Sequence, residues 1–127
     1  MSDEDEIQAV VDLYTEGANG DDVKLRQAFH PEATMTGRIG QARDTLTPIA
    51  DFIAMVARNP GLAGPGYTAE IRSIDIAGDV GVVTLAETDY FGCDFIDYFT
   101  VARLDGRWQI TSKSYEHTGG APDREIH

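Results

Sequence analysis

The stretch DFIDYFTVARLDGRW, Asp94 to Trp108, carries an acid, Asp97, in the middle of a run of Phe, Ile, Tyr and Val. A carboxylate at the centre of so apolar a strand is exposed at an edge or turn, buried and paired, or the polar point of a ligand pocket. A carboxyl among aromatic rings gains a raised pKa from desolvation. Other residue types that could do chemistry are sparse. His30 stands before Pro31, either as a helix-terminus histidine or as a base. Tyr14 continues an apolar stripe and serves core packing or a ligand contact with equal ease. The single cysteine, Cys93, has no His, Lys or Arg near it in sequence to lower its pKa and reads as a turn residue. His117 and His127 show no ligand spacing, so no metal and no cofactor are expected.

The elements that must position these groups follow from periodicity. Ile7, Val10, Val11 and Tyr14 fall at i, i+3, i+4 and i+7, which predicts an amphipathic helix over residues 3–19, with the acids Asp3 to Glu6 at the positive end of its dipole. Gly20 stops it. Asp21 or Asp22 caps a short second helix bearing Leu25 and Phe29, ended by His30-Pro31. Residues 33–39, ATMTGRI, read as a short strand. Thr47-Pro48 reads as a cap and first helical position for a third helix with Ile49, Phe52, Ile53 and Val56 on one face. RNPGLAGPG, Arg58 to Gly66, reads as a loop. From Tyr67 the pattern turns to four strands separated by Gly78-Asp79, Gly92-Cys93-Asp94 and Asp105-Gly106. Helices followed by a meander imply an α+β layer architecture, helices on one sheet face. One domain is expected over 1–117, with 118–127 a flexible tail.

A turn at Asp105-Gly106 sets Val101 opposite Ile110, Phe99 opposite Ser112, Asp97 opposite Ser114 and Arg103 opposite Trp108. A loop centred on Gly92-Cys93 puts Thr88 beside Asp97, Ala86 beside Phe99 and Glu87 beside Tyr98. Continuing through Gly78-Asp79 brings Ala69 next to Thr88, Ile71 next to Ala86 and Tyr67 next to Tyr90. Asp97 is then ringed by small residues, Thr88, Ser112 and Ser114 among them, and flanked by Tyr67, Tyr90, Phe95, Phe99 and Trp108. This describes an apolar pocket with one or two polar points; the competing expectation is that the helices fill the space. On the opposite face Lys113 and Glu87 flank Tyr98 as a structural ion pair. That face, with Ile74, Ile76, Leu85, Ile96 and Tyr98, is expected to pack against a second copy of the chain in a homodimer.

The chain has 127 residues and a net charge of −12, with ten scattered Lys and Arg, which argues against nucleic acid as a partner. No apolar run approaches the roughly 18 residues of a membrane span, and the acidic start precedes no signal core, so a cytoplasmic protein with no membrane partner is expected.

Ala9 to Met35, AVVDLYTEGANGDDVKLRQAFHPEATM, resembles the opening of the nuclear transport factor 2-like superfamily. Asp97 to His117, DYFTVARLDGRWQITSKSYEH, resembles its closing strands, most closely those of the lumazine-binding, SnoaL-like branch. The resemblance implies a cone-shaped, cystatin-like α+β fold, N-terminal helices on a curved antiparallel sheet. It is similar at a distance to ketosteroid isomerase, in which Tyr14 would match the oxyanion-hole tyrosine and Asp97 a second donor, an aspartic acid kept protonated by an apolar site. Gly37, beside Arg38, stands where that enzyme has its general base, leaving Asp89, His30 or a water for the role. Two readings stay open. One is a cone that binds an apolar carbonyl or enol compound, as an isomerase or dehydratase, with Tyr14 and Asp97 donating to its oxygen. The other is a non-catalytic dimeric binding module.

Overall fold

The computed structural model describes all 127 residues. Helix α1 spans Asp3–Gly17 and starts in a capping box, the Ser2 hydroxyl accepting from the Asp5 N–H while the Asp5 carboxylate accepts from the Ser2 N–H. Its stripe of Ile7, Val10, Val11 and Tyr14 is buried as the spacing predicts. Helix α2, Asp22–Ala28, is capped by Asp21 rather than Asp22, through a bond from the Lys24 N–H at 3.2 Å. Strands β1, Phe29–Ile39, and β2, Ala42–Pro48, form a hairpin leading into α3, Ile49–Arg58. Long strands β3, Ala63–Ala77, β4, Val80–Tyr90, β5, Cys93–Leu104, and β6, Arg107–Gly120, complete the meander.

The six strands form one sheet in the order β2-β1-β6-β5-β4-β3, with only β1 and β6 parallel. The helices pack on one face, where Tyr14 meets Phe99 edge-on at 4.9 Å between ring centroids and Phe29 at 5.9 Å. Leu25, Phe29, Ile49, Phe99 and Ile110 fill the core between the layers. No helix is long and apolar enough to cross a membrane.

Local expectations differ from the structure at five places, the first being that α2 ends at Ala28 and Phe29, expected on its face, opens β1 together with His30 and Pro31. Strand β2 carries no alternating apolar pattern and was not expected; pairing with β1 makes it a strand. Thr47 therefore lies in β2, its hydroxyl on Asp44 at 3.3 Å, and Pro48 occupies the cap of α3 without a side-chain bond. The expected loop yields to β3 at Ala63, because Ala63 pairs with Tyr90 and its N–H reaches the Asn19 side chain at 2.9 Å. Gly64 permits this approach, since a Cβ there would sit 2.3 Å from an Asp89 carboxylate oxygen. Finally, β6 continues to Gly120, and the residues beyond lie back on the body. The Asp123 N–H reaches Phe91 O at 2.9 Å and the His127 carbonyl accepts from Asn59 Nδ2 at 2.8 Å.

The register decides which side chains meet. Val101 opposes Ile110 and Arg103 opposes Trp108 as expected, but a bulge follows in which Thr111 has no opposite residue. Phe99 then opposes Lys113, and Asp97 opposes Tyr115. In the preceding hairpin Tyr90 pairs with Cys93 around Phe91-Gly92, and a second irregularity at Thr88-Asp89 sets Glu87 opposite Phe95 and Leu85 opposite Asp97. An odd shift exchanges the two faces of a strand. Glu87, Lys113 and Tyr115 therefore enter the helix-covered face, whereas Thr88, Ser112 and Ser114 leave it. Between β3 and β4, Thr68 rather than Ala69 opposes Thr88, and Ile71 opposes Leu85.

Candidate functional site

Three adjacent strands each bring one ionisable group to the covered face: Glu87 from β4, Asp97 from β5 and Lys113 from β6. All three are buried, Asp97 to 1% exposure and Lys113 to 6%. Buried charges are costly unless they find partners, so their partners define the site.

Glu87 is the best satisfied. Tyr14 donates to its Oε1 at 3.0 Å and Tyr67 to its Oε2 at 2.7 Å. Burial, and next the negative charge of Glu87, push both phenol pKa values well up, so both remain donors. Asp97 has the opposite situation: no N–H or O–H donor reaches either carboxyl oxygen. Burial foremost, then the Glu87 charge, raise its pKa well above the usual carboxylate range, with Lys113 acting in the other direction. The neighbouring Glu87 carboxylate, to which Asp97 could donate only in its protonated form, also holds that pKa up. Tyr14, Tyr67 and Asp97 thus converge on one internal carboxylate.

Lys113 is the group left over. The one hydrogen-bond partner of Nζ is the Met35 sulfur at 3.8 Å. Aromatic rings supply the rest of its environment, with Nζ 4.3 Å from the Phe52 centroid, 5.1 Å from Tyr115 and 5.4 Å from Tyr14. The ion pair with Glu87 expected on the outer face does not form.

Beside this cluster lies a cavity of about 340 Å³, enough for a small organic molecule. Met35, Phe52, Met55, Tyr90 and Phe95 give it apolar walls; Glu87, Lys113, Asp44, Tyr115 and Arg124 are its polar points. Pro122, Arg124 and Ile126 close one side. The Tyr115 hydroxyl donates to Asp44 at 2.5 Å. Gly37 is explained here as well, because a Cβ would come within 2.5 Å of the Tyr115 ring. The space beside Gly37 is filled by an aromatic side chain from β6.

Of the residues the sequence singled out, Tyr90 and Phe95 line the cavity. Tyr14, Tyr67 and Asp97 lie behind Glu87, and Phe99 is core against Tyr14 and Phe29. Thr88 is exposed, Ser114 is exposed, and Ser112 bonds Thr100 on the outer face at 2.5 Å. Trp108 is buried near the start of α1, its Nε1 donating to Asp3 at 3.3 Å under the Arg103 guanidinium. His30 accepts from the Glu32 N–H and lies beside α2 and α3, away from the cluster. Asp89 accepts from the Gly66 N–H at 2.9 Å at the start of β3. Burial pushes the Cys93 thiol pKa up, and its side chain packs in the core. Glu87 and Lys113, missed as site residues, were legible only as charged residues in otherwise alternating strands.

Comparison with known proteins places the fold. The chain is 26% identical to an NTF2-like protein of unknown function from Methylobacillus flagellatus, covering 94% of this chain and 96% of that one with a TM-score of 0.83. An NTF2-like protein of unknown function from Shewanella baltica is 27% identical over 94% of this chain and 98% of that one, TM-score 0.78. A ketosteroid isomerase-like protein from Erwinia carotovora atroseptica shares the fold at 14% identity, over 94% and 99% of the two chains, TM-score 0.68. No curated protein sequence matches the chain. Residues 2–116 match the family described as "Putative lumazine-binding", and the chain belongs to that family, within the NTF2-like superfamily.

Proposed function

We propose that the protein binds a small, largely apolar molecule in the cavity beside Glu87 and Lys113, and that Lys113 receives a carbonyl or enol oxygen of that molecule. The observation that carries this reading is the state of the donors. Tyr14, Tyr67 and Asp97 are directed at Glu87 rather than at the cavity, whereas the Lys113 ammonium lines it with only a sulfur as hydrogen-bond partner. An oxygen with partial or full negative charge offers Lys113 a charge-assisted hydrogen bond in a water-poor site.

Glu87 on the same wall would take a proton from the carbon next to such a carbonyl, while Lys113 stabilises the enolate. That is isomerase or dehydratase chemistry performed without the Tyr14 and Asp97 donors that the resemblance suggested. A non-catalytic reading is favoured by one observation: both Glu87 oxygens already accept hydrogen bonds, from Tyr14 and Tyr67, as a structural acceptor inside the core would. Under either reading we propose a homodimer through the outer sheet face, supported by Val80, Val82 and Tyr98, which are 56%, 43% and 49% exposed there.

The test is calorimetric titration with a panel of enones and phenols. Binding is expected for some members, weakened about tenfold to a hundredfold by Lys113→Met through loss of one charged hydrogen bond. A panel that fails to bind, or affinities indifferent to Lys113→Met, would refute it.

A further inference from the structure

We infer that Lys113 is an amine nucleophile that forms a reversible imine with a small apolar aldehyde or ketone held in the cavity. This rests on the cavity being a carbonyl-binding site, as proposed above, and names the covalent step that the site can perform.

The chain has two lysines, and the structure treats them oppositely. Lys24 lies at the surface, its side chain 40% exposed and ion-paired, with Nζ 3.0 Å from a Glu16 oxygen. Lys113 is buried on a cavity wall, and no carboxylate or carbonyl oxygen is within hydrogen-bond distance of its Nζ. A buried lysine nitrogen without an oxygen partner is costly, and a carbonyl entering the cavity would meet an amine that no carboxylate already holds. The ring faces of Phe52, Tyr115 and Tyr14 offset part of that cost in the resting site. They give no directional acceptor, and so leave Nζ free to turn toward a carbonyl carbon.

Protons are accounted for by residues of the same wall. Glu87, whose oxygens lie beyond hydrogen-bond distance of Nζ, takes one proton from the ammonium through a water in the cavity. The nitrogen lone pair then forms the C–N bond as the carbonyl π pair moves to oxygen, and the oxygen takes the proton back, giving a carbinolamine. Glu87 next removes a proton from that nitrogen and delivers it to the hydroxyl. Water leaves as the C=N bond forms. The net change converts a carbonyl and an ammonium into a protonated imine and one water, with Glu87 regenerated and no other reagent consumed. Asp97, which lies on β5 between the strands of Glu87 and Lys113, keeps the buried charge low by holding its own proton.

The experiment uses the intact protein with benzaldehyde and cyanoborohydride, followed by peptide mapping by mass spectrometry. Benzyl alcohol, which has the same ring and no carbonyl, is titrated in parallel by calorimetry. Lys113 should carry the benzyl adduct and form it at least about tenfold faster than Lys24, the surface amine in the same chain. Glu87→Gln should lower the trapping rate at saturating benzaldehyde. Labelling confined to Lys24 and the α-amine, or proceeding there as fast as at Lys113, overturns the inference. If benzyl alcohol binds while Lys113 stays unlabelled, only the imine is refuted; if neither occurs, the carbonyl-binding reading falls with it.

Discussion

Replacing Asp97 with asparagine tests the electrostatics of the site without needing a ligand. The carboxyl is buried with no donor reaching it, and its native pKa lies well above the value of about 3.9 in an unfolded chain. Below about pH 4 both states hold the proton and the group has no effect on stability. As pH rises the unfolded chain releases the proton first, so stability falls by about 1.4 kcal/mol per pH unit until the native pKa is reached. A carboxyl still protonated at pH 7 would have cost roughly 4 kcal/mol by then. Asparagine cannot ionise, so the variant should lose this slope, whatever constant offset its amide introduces. Urea unfolding followed by Trp108 fluorescence between pH 4 and 7 reads the difference. With an m-value of about 1.5 kcal/mol/M, the two midpoints should move relative to one another by about 1 M per pH unit. Parallel midpoints across this range would show Asp97 to be ionised and paired in the native state, and the account of Glu87 as a shared acceptor would be wrong.

Three further outcomes follow from particular contacts. Gly37→Ala drives a methyl into the Tyr115 ring and should cost about 1–3 kcal/mol in urea unfolding; a neutral result would mean the ring has room to move. Val82→Arg on the outer face should convert a dimer into a monomer in sedimentation at micromolar concentration, and a wild type that is already monomeric there would remove the proposed interface. Asn59→Ala removes bonds to both the N–H and the carbonyl of His127, so trypsin should cut after Arg124 faster than in wild type; an unchanged rate would place the anchoring of the tail elsewhere.

The helices were legible because their signals are local. The buried stripe ending in Tyr14, the cap at Asp21 and the apolar face of α3 each follow from spacing within about two turns of chain. The meander was legible for the same reason, since alternation and the Asp105-Gly106 turn are short-range features; both turn residues have positive φ, as a two-residue hairpin asks. Strand β2 left no such trace, since its residues are exposed or half-buried and depend on β1 for their pairing.

The sequence by itself determined that an acid would stand among aromatic rings at the centre of a strand, and Asp97 does so. Only the tertiary structure decided what that acid would meet. Residue Thr111 bulges out of the β5–β6 pairing and Thr88-Asp89 disturbs the β4–β5 pairing, and each irregularity shifts the register by one. Since neighbouring side chains on a strand point to opposite faces, those shifts moved Glu87, Lys113 and Tyr115 inward and carried Thr88, Ser112 and Ser114 outward. Spacing along one strand records which residues share a face, but the face that is buried, and the partners across it, depend on bulges whose cost is set by how the sheet packs against helices far from it in the chain.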